Sequence, residues 1–311
     1  MFTRQFPLHE DFANYYKSHL NNWYDELRPS SPGIVCYHSV LGWNDCYFGK
    51  NMIFSHRTNT YNMACFPEKL HAHLFYEMDI YLSGEISYIS NNREIIPSSG
   101  SIIVFPPGVL HTAHQSEKSE YERFVFYFTA DYFEDKGGLP PFLMESDTRA
   151  LRMDPEALCR FRYVLDQILF YSDQIGPDTL LKLTSLIFDM YVLINRCGHT
   201  DQKLFQKLPS NVLQVKKYID ENIREINTAS SVADHFFYSR EYVSRLFRQY
   251  FNIGISEYIA ERKISMAKAA LENGKSVTEA FNSSGYRSMS FKSYVHMTPS
   301  AYKKQCTKDG S

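Results

Sequence analysis

The sequence predicts an α+β chain: an N-terminal antiparallel β-barrel or jelly roll with a helical pair behind it, then an all-α region that uses one helix-turn-helix unit twice. Three observations predict it. Short Ile-, Val-, Tyr- and Phe-rich segments alternate with turn residues between Phe75 and Thr129. A capped amphipathic run, Ser239 to Gln249, follows a short apolar segment. Part of that run then recurs 44 residues later.

The β region is justified by turn chemistry and strand propensity. Phe75–Leu82, Ile86–Ile89, Ser101–Phe105 and Arg123–Thr129 read as strands, and Ser83-Gly84, Asn91-Asn92, Ser98-Ser99-Gly100 and Pro106-Pro107-Gly108 read as turns. Strands this short, at this spacing, suit a barrel or jelly roll. This region runs over about 56–150. Residues 1–55 are aromatic-rich without clear period and read as an N-terminal extension.

Asp154-Pro155 then opens a helix, with Asp as cap and Pro at the first position. Its apolar face is Leu158, Phe161, Val164, Leu165, Ile168 and Leu169. Ile175-Gly176-Pro177-Asp178 breaks it, and a second helix runs from about Thr179 to Asn195. The pair, over 151–197, has an apolar face wide enough for the barrel and a second subunit, or for packing wholly within one subunit. Gly198, the charged residues after it and Pro209-Ser210 mark 198–210 as a linker.

The all-α region, 211–306, starts its first unit near Ser231-Val232-Ala233. Ser239 is placed to cap the next helix. Tyr242, Val243, Leu246, Phe247, Tyr250 and Phe251 form one apolar stripe, and Glu241, Ser244, Arg245 and Arg248 form a polar stripe opposite. An amphipathic surface helix would carry the same stripes. A short helix, a turn and a polar-striped second helix are also the layout of a DNA reader. Aligning Phe247 with Phe291 also aligns Arg248 with Lys292, Tyr250 with Tyr294, Ser256 with Ser300 and Tyr258 with Tyr302, so one supersecondary unit is used twice. Ile259, Ile264, Ala267, Ala270 and Leu271 suit a long connecting helix closed near Asn273-Gly274.

Charge and composition agree with that division. The net charge is −2 over 311 residues, but from Ser210 onward 15 Lys and Arg stand against 10 Asp and Glu, leaving 18 against 25 before it. A basic module behind an acidic one fits a DNA-binding part joined to a part that does not bind DNA. Six scattered cysteines without a C-x-x-C pair argue against a zinc ribbon or a disulfide framework. No N-terminal apolar run suits a signal peptide or a membrane span, so a cytoplasmic protein is expected.

The stretch VADHFFYSREYVSRLFRQYFNIGISEYI, the arginine Arg262 and the closing MTPSAYKK resemble the AraC family of bacterial transcription regulators, over about Asn211 to Gln305. The resemblance implies seven helices with two helix-turn-helix units, each offering a recognition helix to one of two successive major grooves. It places base reading on Glu241, Ser244 and Arg245, with Arg240 and Arg248 near phosphates. Residue chemistry agrees, since Arg bonds guanine bidentately and Glu accepts from cytosine.

The second unit departs from the family pattern. Ala280-Phe281 stands where an aliphatic-alanine pair is usual, and Ser284 where an apolar residue usually precedes the glycine, here Gly285. Ala233 to Phe247 spans 14 positions, but Phe281 to Phe291 only 10. A short second recognition helix is expected, from about Ser288 to Val295, around Arg287, Ser288, Met289 and Lys292, with phosphate contacts through Arg287 and Lys292.

In the β region, His71-x-His73-x3-Glu77-x6-Gly84 and Gly100-x5-Pro106-x-Gly108-x2-His111 resemble the two cupin motifs, with Gln115 where many cupins carry asparagine. The cupin barrel is the usual N-terminal sensor of AraC-type regulators. His71, His73, Glu77 and His111 have two readings: ligands for a divalent transition metal, or the lining of a metal-free effector pocket. No catalytic motif is present elsewhere. The expectation is a promoter-binding regulator, without a cofactor, whose cupin domain senses a small molecule such as a sugar; helix pairs in this position mediate homodimerisation in the family. The rival is a metal-dependent cupin enzyme whose helical tail no longer binds DNA.

Overall fold

Residue parity layers the N-terminal unit. The computed structural model describes residues 24–29, 34–39, 43–48, 52–59, 70–73, 75–115, 120–172, 174, 176, 178–286, 291–295 and 298–306. By internal contacts they divide into one unit of 1–67 with 72–207 and another of 68–71 with 208–311.

The first unit contains thirteen described strands: β1 (Tyr24–Pro29), β2 (Ile34–Ser39), β3 (Trp43–Phe48), β4 (Met52–Asn59), β5 (Tyr76–Ser83), β6 (Ile86–Ser90), β7 (Arg93–Ile95), β8 (Ser101–Phe105), β9 (His111–Gln115), β10 (Tyr121–Phe128), β11 (Arg149–Met153), β12 (Gly198–Thr200) and β13 (Phe205–Lys207). They form two antiparallel sheets, ordered β1-β2-β3-β4-β10-β5-β8-β11-β12 and β13-β7-β6-β9. The turn between β6 and β7 is Asn91-Asn92, both at positive φ, with Ser90 facing Arg93. This is the backbone a two-residue hairpin requires, and Asn tolerates it better than most residues.

Side chains alternate across the large sheet. Met78, Ile80 and Leu82 of β5 join Phe124, Phe126 and Phe128 of β10 in a core shared with the helices α1 (Pro155–Ser172) and α2 (Thr179–Cys197). From α1 come Phe161, Leu165 and Ile168, and from α2 Leu183, Ile187 and Met190, all fully or almost fully buried. Residues of the opposite parity, including Tyr81, Ile103 and Phe105, pack with Ile86, Tyr88, Ile95 and Ala113 of the smaller sheet. One sheet therefore serves two cores, the alternation expected when a strand is buried on both faces.

Two boundary expectations are corrected. Residues 24–59 supply β1 to β4 of the large sheet and are not a separate extension. In β4, Met52 and Phe54 are buried in the helix-side core and Ile53 and Ser55 on the other face are buried too, so that strand carries no polar–apolar alternation to read. Six of the thirteen residues of the expected linker, 198–210, are also sheet: β12 pairs with β11, and β13 pairs with β7. These three-residue strands are set by tertiary pairing, which local propensity does not encode.

The second unit has seven described helices: α3 (Ser210–Glu221), α4 (Ala229–Phe236), α5 (Arg240–Phe251), α6 (Ile255–Glu272), α7 (Val277–Ser284), α8 (Phe291–Val295) and α9 (Pro299–Cys306). Thr228 caps α4, Ser239 caps α5 through the Tyr242 N–H, and Ser276 with Glu279 forms a reciprocal capping box on α7. Asp220 ties α3 to α6: its carboxylate accepts from Lys216 Nζ at 2.8 Å, the Tyr258 hydroxyl at 2.7 Å and Arg262 Nε at 2.9 Å. Burial opposes the charge, but Lys216 and Arg262 hold that carboxyl below its usual range.

The internal repeat is visible in the packing. Phe247 and Phe291 are both fully buried; Phe247 lies 5.2 Å from the Tyr258 ring, and Phe291 lies 6.0 Å from the Tyr302 ring. Phe281 takes the place that Ala233 holds in the first unit, since Tyr238 N–H bonds Ala233 O and Tyr286 N–H bonds Phe281 O. Ala233 is buried, whereas Phe281 is half-buried against Tyr286 and Phe291. Ser284 is fully buried and donates to Phe281 O, so the polar residue in the apolar slot keeps a partner. Among the described residues, no helix is long and apolar enough to cross a membrane.

Candidate functional site

Two regions bring together residues singled out in the sequence. The first is a buried polar band inside the N-terminal unit. Glu77 lies on β5 and His111 opens β9 in the other sheet. One carboxylate oxygen, Glu77 Oε2, is 2.9 Å from His73 Nε2 and 3.1 Å from His111 Nε2. On the far side of each ring, His73 Nδ1 is 2.8 Å from Phe75 O and His111 Nδ1 is 2.9 Å from Val109 O. Phe75 stacks on His73 at 3.9 Å and Phe105 on His111 at 4.2 Å, fixing both ring planes. His71, the fourth residue singled out in the sequence, is buried, and it falls in the short segment 68–71 that belongs to the second unit.

Hydrogen-bond logic defines what this cluster needs. A carbonyl oxygen only accepts, so both Nδ1 atoms donate. Each Nε2 then meets a carboxylate that, when ionised, also only accepts. Either the Nε2 atoms carry second protons, or another cation takes the place of those protons. Burial lowers the His73 pKa against the pull of Glu77, resisting the second proton. Burial alone would raise Glu77, but hydrogen bonds from His111 and His73 outweigh it and hold the carboxyl well below the usual range. Within this unit the donor set of His73, Glu77 and His111 fits a divalent transition metal, and it also fits a proton-clamped carboxylate in a metal-free pocket.

The band continues with residues that the motif reading missed. Arg123 Nη1 donates to Asp79 Oδ2 at 2.7 Å, both side chains being almost wholly buried, and Tyr88 OH lies 3.4 Å from the same nitrogen. Burial pushes the Asp79 carboxyl up to about 6, against the attraction of Arg123. Arg57 donates to Tyr127 OH at 2.7 Å and to Ser55 Oγ at 3.1 Å. The register places Tyr127 opposite Glu77 and Arg123 opposite both Tyr81 and Arg57. A signal for them existed: Glu77 and Asp79 share parity in β5, as Arg123 and Tyr127 do in β10, on the face opposite the apolar residues.

The second region is one face of α5. Arg240, Glu241, Ser244, Arg245 and Arg248 line a common solvent-facing depression. The opposite face buries Val243, Leu246, Phe247 and Phe251. Among the described residues, Arg240, Arg245 and Arg248 form no salt bridge, so three guanidinium groups are available to an anionic partner. Arg245 also lies 5.8 Å over the Tyr242 ring. In the second unit Lys292 is exposed on α8, whereas Arg287, Ser288 and Met289, with the expected start of the second recognition helix, lie outside the described residues.

A unit with a buried polar interior and a helical unit with an exposed arginine-rich face suit a ligand-binding domain joined to a DNA-binding domain. The family described as "AraC-like ligand binding domain" matches residues 54–185, and that described as "Helix-turn-helix domain" matches residues 232–305. The chain is 24% identical over 242 residues to the arabinose operon regulatory protein of Escherichia coli K12, covering 74% of this chain and 81% of the relative. It is 23% identical over 250 residues to the E. coli K12 melibiose operon regulatory protein, covering 75% and 83%. The Msm operon regulatory protein of Streptococcus mutans is 33% identical over 100 residues, covering 30% and 36%. The chain belongs to the AraC family of transcription regulators, with a ligand-binding domain and a DNA-binding helix-turn-helix domain. The rival reading, an enzyme with a tail that no longer binds DNA, is not favoured: these relatives are regulatory proteins, and the arginine-rich face of α5 is intact.

Proposed function

We propose that α5 reads base edges in a major groove of promoter DNA through Glu241, Ser244 and Arg245, with Arg240 and Arg248 on flanking phosphates. The observation that carries this reading is the gathering of these five residues on one solvent-facing surface while the reverse face is locked in the core. Arg245→Ala should weaken binding to the cognate duplex by about 1–3 kcal/mol and leave non-specific binding almost unchanged. Arg248→Ala should weaken all duplexes alike and reduce the slope of affinity against salt. Quantitative footprinting over a salt series checks both, and identical behaviour of the two variants would refute the assignment. Phosphate contacts through Arg287 and Lys292 remain the reading for the second unit, with Ser288 and Met289 beside them.

The two sheets are read as a cupin-type jelly-roll barrel whose polar band binds a small polar effector. Two arginines, two carboxylates and tyrosine hydroxyls in one buried band suit a ligand rich in hydroxyls, and the arabinose and melibiose regulators among the relatives favour a sugar or related metabolite. No catalytic role is assigned. His71, His73, Glu77 and His111 belong to this pocket; a divalent metal held there would add Lewis acidity toward an effector oxygen. Binding would favour one arrangement of the chain over another and so change the population competent for DNA. Glu77→Gln and His73→Ala in the full chain should shift or abolish the response of promoter affinity to a panel of mono- and disaccharides while leaving sugar-free affinity within about twofold. A response equal to the wild type's in both variants would remove the pocket from these residues.

The α1–α2 pair is read as the homodimer contact. Tyr163, Phe170, Leu181 and Val192 are large apolar residues exposed on it, and Tyr163 and Val192 share a groove with Leu193. With promoter DNA as partner, the protein works in the cytoplasm.

A further inference from the structure

Phe237 occupies the turn between α4 and α5 and bears two costs at once. Its backbone is left-handed, at φ +55°, ψ +33°. That region is an outlier for a bulky side chain. Its side chain is also 97% exposed, more than any other large apolar residue described. The second helix-turn-helix unit shows how the same turn is built without either cost: there the corresponding position is Gly285, at φ +63°. The aromatic neighbours do pack. Phe236 lies against His235 and Tyr218, and Tyr238 lies against Phe236 and Tyr242. Among the described residues Phe237 has no ring contact, so a smaller residue that tolerates positive φ would serve the fold better. Backbone strain kept without a structural return points to function.

Its position indicates which function. Phe237 lies two residues before the Ser239 cap and three before Arg240, at the end of α5 that carries Glu241, Ser244 and Arg245. The N-terminal residues of a recognition helix are those that approach base edges. The three unpaired arginines of that surface suit a polyanion, which favours DNA over an apolar protein partner. In the major groove the apolar feature of a base pair is the thymine 5-methyl group, and phenylalanine is among the side chains that contact it.

We propose that Phe237 is a specificity-determining residue that packs on a thymine methyl at the edge of the sequence read by α5. The proposal rests on the reading of α5 as a recognition helix, and the two are tested separately. A duplex is selected by the full-length chain from a random-sequence library, and its thymines are replaced one at a time by deoxyuridine, which lacks only the methyl. Burying one methyl-sized group corresponds to about a three- to tenfold change in affinity. The wild type should lose that factor at one thymine beside the base pair read by Arg245. Phe237→Asn, whose side chain accepts positive φ, should lose a similar factor on the unmodified duplex and become indifferent to deoxyuridine at that thymine. Its melting temperature should equal or exceed the wild type's, and Phe237→Gly should behave alike. If Phe237→Asn binds as tightly as the wild type, or keeps the deoxyuridine penalty, the proposal is overturned. It is overturned as well if the variant binds DNA normally but loses transcription activation in a purified system, which would assign the ring to a protein partner. If Arg245→Ala fails to relax specificity, it is the reading of α5 that falls.

Discussion

Replacing Arg123 by leucine is expected to destabilise the N-terminal unit by about 3–5 kcal/mol, because it leaves the Asp79 carboxylate buried without its cation. The attraction within such a pair roughly offsets the desolvation of its two members. Removing one member leaves the other's desolvation uncompensated, so the loss exceeds the net worth of the pair. Replacing both, as Asp79→Leu with Arg123→Leu, should therefore recover much of the stability. The loss should also depend on pH with a definite sign. Burial raises the Asp79 carboxyl to about 6 in the native protein, while its ordinary value is 3.8. A raised carboxyl binds its proton more tightly in the folded state. Its favourable contribution is present below about pH 4 and is lost as pH rises through about 6. Without Arg123 the folded-state value rises further, so that loss continues above pH 6. The deficit of Arg123→Leu against wild type should thus be larger at pH 8 than at pH 5. Urea unfolding followed by tyrosine and tryptophan fluorescence at both pH values measures it, and a deficit unchanged between them would show that Asp79 is not the group left exposed to the loss.

The particular residues explain what could be read in advance. Ser239, Asn273-Gly274 and Pro155 were legible because caps and stops are local: a hydroxyl accepts from a backbone N–H three positions on, whatever lies beyond. The two faces of α5 were legible because helical period sorts arginines from phenylalanines without any partner being known. His73, Glu77 and His111 were legible through spacing borrowed from a resemblance. Arg123 shares its parity with Tyr127 but its partner was not legible, and neither was Arg57, because both depend on which strands lie beside β10, and β4 begins inside the stretch that showed no period. The small strands β12 and β13 are likewise products of pairing and not of propensity. Phe237 was legible only as an aromatic residue in FFY; its left-handed backbone and its exposure required coordinates.

The turn in the second helix-turn-helix unit should be the opposite case to Phe237, a place where glycine is obligatory. Gly285 sits at φ +63°, and a Cβ added there would stand 2.5 Å from the carbonyl oxygen and 2.9 Å from the Cα of Arg224. Those are backbone atoms and cannot swing aside. The glycine is also held from the other side, where buried Lys263 donates to Gly285 O at 3.1 Å and to Asn227 Oδ1 at 2.8 Å. Gly285→Ala therefore combines the cost of a left-handed alanine, about 1–2 kcal/mol, with that of forcing apart packed backbone, about 1–3 kcal/mol. Gly274 separates the two contributions, because it too has positive φ, +81°, but a Cβ there would meet nothing within 4 Å. Gly274→Ala should show the conformational cost alone, and Gly285→Ala a loss of about 2–4 kcal/mol in the helical unit's unfolding free energy. Because the displaced contact joins α7 to the loop before α4, the damage should concentrate on the second unit. Footprints at saturating protein should then keep the Arg245-dependent groove protected while protection of the neighbouring groove fades. Equal destabilisation by the two alanines would mean that the close approach of Arg224 to Gly285 contributes nothing, and the packing of α7 would have to rest on its apolar face alone.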